Sequence, residues 1–116
     1  MDAAELESLP TWQQIAEVQR LLDLSLREAK ERGARMVAAE AAYYGAKARR
    51  VYDLTEAGMS ATAISMVIKG DPEVAPAMSA YHAAQVEYEN AKEARNVYKK
   101  KLDTLREQYQ REWREA

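Results

Sequence analysis

Apolar and small side chains recur along residues 11–57 at the spacing of one face of a helix. The repeat covers 39 residues in 11 steps, about 3.5 residues per step, which is typical of helices that pack as in a coiled coil. No proline interrupts this stretch, so the pattern predicts one long helix over residues 11–57. The recurring positions are Ile15, Val18, Leu22, Leu26, Ala29, Gly33, Met36, Ala39, Tyr43, Ala46, Val51 and Leu54.

The ends of this helix carry local signals. Thr11 and Gln14 have the spacing of a capping box, in which each side chain bonds the backbone N–H of the other residue. Gly58 stands where a glycine in the left-handed conformation ends many helices. We expect residues 1–10, which precede the helix, to form a flexible lead.

A second break in the pattern separates a short helix from another long one. Ser60 is a good N-cap for a short helix over residues 60–69, which a glycine would end. Asp71 and Pro72 combine a capping carboxylate with a first-turn proline, and they predict a helix over residues 72–114. Its core positions are Val74, Ala77, Tyr81, Ala84, Tyr88, Ala91, Arg95, Tyr98, Leu102, Leu105, Tyr109 and Glu112.

These elements predict an all-α fold: a long antiparallel helical hairpin of the coiled-coil kind, with the short helix at its closed end. We expect it to form a single helical domain over residues 1–116. If the long helices fold back directly, Ala57 lies beside Pro72 and Tyr43 lies near Val86. Alanines of both helices would then meet near the turn, which lets the helix axes approach toward the short end of the roughly 8–10 Å range.

Two helices alone offer little interior, because each can bury only one stripe of side chains. The four leucines Leu21, Leu22, Leu24 and Leu26 span too wide an arc to contact a single neighbouring helix. We therefore expect two or more hairpins to assemble into a helical bundle, and a homodimer is favoured.

Composition mainly excludes chemistry. The 116 residues include 22 alanines, one histidine and no cysteine, which excludes disulfides, cysteine-ligated metals and a thiol nucleophile. His82 has no carboxylate four residues away to orient it, and no phosphate-binding glycine loop occurs. We expect no enzymatic activity, no metal site and no cofactor.

Charge is more informative in its placement than in its sum, which is −2. Residues 24–50 and residues 92–101 each carry a net charge of +4, and the hairpin would bring them together as a basic belt near its middle. Such a belt suits a nucleic-acid backbone or an acidic protein partner, although the overall acidity argues against nucleic acid. The candidate contacts are Arg27, Arg35, Lys92, Lys99, Lys100 and Lys101.

The middle segment, residues 58–70, has two interpretations. Its apolar side chains can fold over the end of the hairpin as a cap. If Met59, Met66 and Ile68 stay exposed instead, they would form an adaptable docking patch for a protein partner. A helix-turn-helix is less favoured, because a very long helix follows where a short recognition helix is needed.

Residues 42–96 contain three short motifs: Tyr-Tyr-x-Ala-Lys-Ala-x-Arg, Gly-x-Ser-Ala-Thr-Ala and Lys-Gly-Asp-Pro-Glu-Val-Ala. With them, about half of the chain resembles small all-helical proteins encoded by phages and prophages of Gram-positive bacteria. The genes of those proteins often lie near recombination and single-strand-binding functions. The resemblance implies an accessory protein in the cytoplasm of a bacterial host, and it implies no catalytic residues.

The function predicted from the sequence is that of a non-enzymatic, oligomeric helical scaffold or protein-interaction accessory protein of phage origin. The alternative is an accessory protein that contacts nucleic acid through the basic belt. No apolar run reaches the roughly 20 residues needed to cross a bilayer, so we expect no membrane partner.

Overall fold

A computed structural model describes all residues, Met1–Ala116, and every regular element in it is helical. The helices are α1 (Ala3–Glu7), α2 (Thr11–Glu56), α3 (Ala61–Val67) and α4 (Val74–Glu115). A 3₁₀ turn, Ile68–Gly70, follows α3 directly. The predicted all-α helical hairpin is confirmed, because α2 and α4 are the two long helices and they pack against each other in antiparallel directions.

The chain divides into two compact units. Unit 1 comprises residues 1–30 and 90–116, and unit 2 comprises residues 31–89. Each unit contains a segment of α2 paired with a segment of α4.

The core of unit 1 is a cluster of aliphatic side chains from three helices. Val18 of α2 is fully buried there, and Leu22 is 8% exposed. Leu6 of α1 is also buried in this cluster, so the predicted flexible lead contains a short helix that contributes to the core. The members of the cluster are Leu6, Val18, Leu22, Leu102 and Leu105, with Leu9, Ile15 and Tyr98 packed against it.

The start of α2 differs from the predicted capping box. The backbone N–H groups of Gln13 and Gln14 both donate to the carbonyl of Pro10, so the helix is already hydrogen-bonded from that residue. The Thr11 hydroxyl does not cap the helix; it donates instead to Oε1 of Glu112 on α4, 2.7 Å away. The Gln14 side chain turns back to the carbonyl of Leu9. The long-range hydrogen bond to Glu112 therefore replaces the capping bond that the local spacing predicts.

The core of unit 2 lies where α3 folds over the end of α2. Ile64, Ile68 and Val74 are its buried members, and Tyr43, Val51, Leu54 and Met59 pack against them. Gly58 has φ +90°, and the N–H of Met59 donates to the carbonyl of Leu54, as in a Schellman motif. The Ser60 side chain accepts from the N–H of Ala63 at 3.2 Å, which confirms the predicted N-cap of α3.

The pairing of α2 with α4 is shifted from the direct fold-back. The ring of Tyr43 stacks on Tyr81, with centroids 5.9 Å apart, and Tyr81 lies five residues before the predicted neighbour Val86. Val86 itself is 60% exposed. The reason is that α3 and the 3₁₀ turn occupy the last turns of α2, so Asp71 and the start of α4 lie beside Arg50 rather than beside Ala57.

The heptad positions predict burial well along most of both helices, with two exceptions, Leu26 of α2 and Glu112 near the end of α4. Leu26 is 45% exposed, whereas its neighbour Ser25 is buried and donates its hydroxyl to the carbonyl of Leu22 at 2.8 Å. The predicted alanine seam is also only partly formed. Ala46 is buried, but Ala38, Ala41, Ala42, Ala48, Ala80 and Ala83 are exposed.

Candidate functional sites

Arg50 and the buried Asp71 form a polar junction in unit 2. Asp71 is 7% exposed, and its carboxylate accepts hydrogen bonds from the backbone N–H groups of Glu73 and Val74. Its second oxygen, Oδ1, accepts from Nε of Arg50 on α2 at 2.9 Å. The same carboxylate therefore caps α4 and ties its start to α2.

The electrostatics of this junction favour both charged forms. Burial alone would raise the pKa of Asp71, but hydrogen bonds from the Glu73 N–H and the Arg50 guanidinium outweigh it and lower that pKa below its usual value. The hydrogen bond to Asp71 in turn raises the pKa of Arg50. The exposed carboxylates of Asp53 and Glu73 also approach Arg50, at 3.5 Å and 4.0 Å. Arg50 and Asp71 therefore join α2 to the start of α4, and neither side chain is free to act as an acid or a base.

Three tyrosines of unit 2, Tyr43, Tyr44 and Tyr81, form a cluster with their rings close together. The hydroxyl of Tyr81 donates to Oε2 of Glu40 at 3.1 Å and accepts from Nε2 of Gln85 at 3.0 Å. Burial, and then the hydrogen bond to Glu40, raises the pKa of Tyr81. A phenol with a raised pKa stays neutral at physiological pH, so this cluster is suited to packing.

The predicted basic contacts are found in both units. Arg27, Lys99, Lys100 and Lys101 belong to unit 1, are exposed, and make no ion pair. Lys92 of unit 1 is half-buried and has an interaction partner. Arg35 belongs to unit 2, where its guanidinium is paired with Glu31.

The three consecutive lysines do not share one face. Successive residues on an α-helix are turned by about 100°, so Lys99, Lys100 and Lys101 fan over roughly 200° of the surface of α4. One row of phosphates can therefore contact two of them at most. The predicted belt thus has three exposed cations spread around α4 and a fourth, Arg27, on α2, rather than a single strip.

The docking-patch interpretation of residues 58–70 does not describe the structure, in which the segment forms the cap instead. Ile68 is 6% exposed and belongs to the core of unit 2, and Met59 packs against the same cluster. Only Met66, which is 80% exposed, faces solvent. The middle segment is thus a cap over the end of α2, because its apolar side chains gain more burial there than at the surface.

The cap leaves a cavity that the sequence analysis missed. This turn pocket has a volume of about 440 Å³ and lies between the last turns of α2 and α3. Val51, Met59, Ile64 and Ile68 contribute its apolar lining, and Lys47 and Lys69 contribute its charges. Its residues are separated by up to 22 positions in the chain, and no local pattern marks them as neighbours.

Unit 1 has a shallower groove beside exposed leucines. This leucine groove, of about 250 Å³, is lined by Leu21, Leu24, Ser25, Glu28 and Tyr98. Leu24 is 47% exposed, and Leu21 and Tyr98 are half-buried. The wide arc of leucines noted in the sequence was the signal for it.

The structure has neither a cluster of metal ligands nor a helix able to cross a membrane. No group of three or more His, Asp or Glu side chains is placed to hold a metal ion. No helix combines the length and apolar character that crossing a membrane requires.

Comparison of the chain with protein-family models, with curated proteins and with solved structures found no match.

Proposed function

We propose that this protein is a non-enzymatic helical scaffold that pairs with a second copy of itself through the leucine groove. The observation that carries the proposal is Leu24, 47% exposed at the edge of an apolar groove in unit 1. The side chain of this leucine protrudes beside a groove that it helps to line, so the surface offers both a projection and a recess.

A two-fold axis suits such a surface. In an isologous dimer the same patch occurs on both partners, so Leu24 of each copy can enter the groove beside Tyr98 of the other. Two helical segments from each copy would then form a four-helix arrangement, which buries leucines that one pair of helices leaves exposed. Burial of a leucine contributes roughly 1.5–3 kcal/mol, so a few such side chains from each copy supply the main driving force.

The biological role that we propose for this dimer rests on the sequence resemblance. The likeness of residues 42–96 to helical phage and prophage proteins supports an accessory role in the cytoplasm of a bacterial host. A rigid helical dimer would act there as a scaffold that presents exposed side chains to partner proteins.

Sedimentation equilibrium tests the self-association directly. We expect a mass of twice the 13.1 kDa chain at protein concentrations up to about 0.2 mM. Leu24→Glu places a charge in the groove and should return the mass to that of the single chain, with an unchanged helical circular dichroism spectrum. Val86→Glu is the matched control, because Val86 is 60% exposed on α4 within unit 2.

The proposal fails if the wild-type chain has the mass of one copy across this concentration range. It also fails if Val86→Glu dissociates the dimer as completely as Leu24→Glu does.

Contact with nucleic acid is the second candidate function. It is supported by four exposed cations of unit 1 that make no ion pair, namely Arg27, Lys99, Lys100 and Lys101. A protein that binds nucleic acid through such residues loses affinity steeply as the salt concentration rises, because each neutralised phosphate releases a counterion.

A single-strand binding titration at about 50 mM salt tests this candidate. Reversal of the three consecutive lysines to glutamate should weaken binding at least about tenfold and reduce the salt slope. The matched control reverses Arg106, Arg111 and Arg114, which changes the net charge equally on the same helix. Equal losses in both triple variants, or no binding by the wild-type chain, would exclude a specific role for the lysines.

A further inference from the structure

The turn pocket of unit 2 combines apolar side chains with two lysines in its lining. Its volume of about 440 Å³ is within the range of small-molecule sites. Val51 of α2 and Ile64 of α3 both line it, and Met59 lies between them in sequence. A thioether side chain adapts its shape to an aliphatic ligand more readily than a branched one.

The charges at the pocket all have one sign. Lys47 and Lys69 line it, and no aspartate or glutamate does. The nearest strongly paired carboxylate of this unit, Asp71, is held by Arg50 and by the start of α4, and is not part of the lining. Lys47 lies 6.0 Å from the centroid of the Tyr43 ring, so its ammonium group has an aromatic contact and no carboxylate partner.

The hydroxyl groups at the pocket are already used as donors. Thr55 donates to the carbonyl of Val51 at 2.7 Å, and Ser65 donates to the carbonyl of Ala61 at 3.0 Å. Recognition of a polar ligand group therefore falls to the two ammonium groups, which select a negative charge.

From this geometry we infer that the turn pocket binds an amphipathic monocarboxylate, with its aliphatic chain on Val51, Met59 and Ile64 and its carboxylate toward Lys47 and Lys69. A straight chain suits a lining that is mainly aliphatic. A single anionic head suits two cations at the edge of the pocket, because a neutral head would leave both without a counter-charge. This site is in unit 2 and does not depend on self-association through the leucine groove of unit 1.

Methyl NMR with decanoate as the probe, below its micelle-forming concentration, tests the inference on the full chain. Methionine methyl labelling gives an internal comparison, because Met59 lines the pocket whereas Met66 is 80% exposed and does not. We expect a saturable shift of the Met59 methyl signal and no shift of the Met66 signal. Decanol and decyltrimethylammonium, which have the same chain with a neutral or cationic head, should bind at least about tenfold more weakly.

Two variants test separately how the lysine charges and the cavity contribute to binding. Lys47→Gln combined with Lys69→Gln should weaken decanoate binding about tenfold or more and leave decanol binding unchanged. Ala61→Leu adds bulk at an exposed position of the lining and should block all three probes. The control replaces the exposed Arg49 and Lys30, which do not line the pocket, with glutamine.

Three results would overturn the inference. One is the absence of any Met59 shift at about 1 mM decanoate, a concentration that detects even weak binding. Another is decanoate affinity that is unchanged in the double lysine variant. The third comes from a second sample labelled at its leucine methyl groups: decanoate-induced shifts confined to Leu21 and Leu24 would place the amphiphile in the leucine groove instead.

Discussion

The Nε atom of Arg50, in the last two turns of α2, donates a 2.9 Å hydrogen bond to Oδ1 of Asp71, which caps α4. One buried carboxylate thereby satisfies the free N–H groups at the start of a 42-residue helix and binds that helix to its partner. Seventeen residues separate the end of α2 from the start of α4, and this contact joins the two helices beside that connection.

Removal of the Asp71 carboxylate should destabilise the protein more than removal of a neighbouring acid that pairs with the same arginine. Asp71→Ala loses the cap and the ion pair together, so we expect the Tm to fall by at least about 5 °C. Asp53→Ala is the control, because Asp53 is half exposed and its contact with Arg50 is 3.5 Å. Thermal unfolding followed by circular dichroism measures both. Similar Tm values for the two variants would contradict the central role of Asp71.

Acid should weaken the protein through the same carboxylate. The pKa of Asp71 is lower in the folded chain than its usual value of 3.8, so its charged form stabilises the fold above that value. This stability is present near pH 5 and above, and is lost as the pH falls through the folded pKa. Asp71→Asn keeps a capping oxygen but cannot titrate. We expect the wild-type advantage over this variant, measured by urea unfolding, to shrink between about pH 5 and about pH 3.

Asp53→Asn is the control for the acid experiment. Its side chain is half exposed and lies 3.5 Å from the same arginine, so this variant removes an acid beside Arg50 without removing a helix cap. An equal pH dependence for both variants would assign the effect to general charge repulsion.

The two glycines inside α2 should respond differently to alanine. A Cβ at Gly45 meets nothing within 4 Å, so Gly45→Ala should raise the free energy of unfolding by about 0.5–1 kcal/mol through helix propensity. A Cβ at Gly33 lies 3.3 Å from Cε1 of Tyr88, and that ring must move by a few tenths of an ångström. We expect a smaller gain, or a loss, for Gly33→Ala in urea unfolding.

The origin of this difference can be checked with a double variant. If the Tyr88 ring limits Gly33→Ala, then in a Tyr88→Ala background the alanine should give the full gain seen at Gly45. Equal effects at both glycines in the wild-type background would show that the ring shifts without cost.

Two leucines four residues apart should differ strongly in their contribution to stability. Leu22 is 8% exposed in the core of unit 1, so Leu22→Ala should lower the free energy of unfolding by about 2–4 kcal/mol. Leu26 is 45% exposed, and Leu26→Ala should cost under about 1 kcal/mol. Urea unfolding at one protein concentration compares them. A large loss for Leu26→Ala would show that Leu26 is buried in solution, as the regular heptad predicts.

The helices and their ends could be predicted because their signals are local. Gly58 has the positive φ expected of it, Ser60 caps α3, and Asp71 caps α4, each through contacts within four residues. The predicted bounds of the long helices lie within two residues of the observed ones. The capping box at Thr11 is the exception, since a partner 101 residues away takes its hydroxyl.

The candidate sites were less predictable. The exposure of Lys99, Lys100 and Lys101 could be predicted from residue type alone, because long charged side chains avoid the core. The burial of Ile68 and Met59 could not be separated from an exposed patch, because both arrangements use the same periodicity. The turn pocket depends on where α3 rests against α2, and no sequence spacing encodes that contact.

The two long helices and the short helix α3 follow from local sequence, since the hydrophobic period and the capping residues act within a few residues of each other. Which residues of the long helices meet is a property of the folded chain. Apolar side chains recur about every 3.5 residues along both helices. A shift of one helix along the other therefore preserves much of the apolar contact between them. Within unit 2 the observed register places Arg50 beside Asp71 and Gly33 against Tyr88, and these contacts exist only after the chain has folded back.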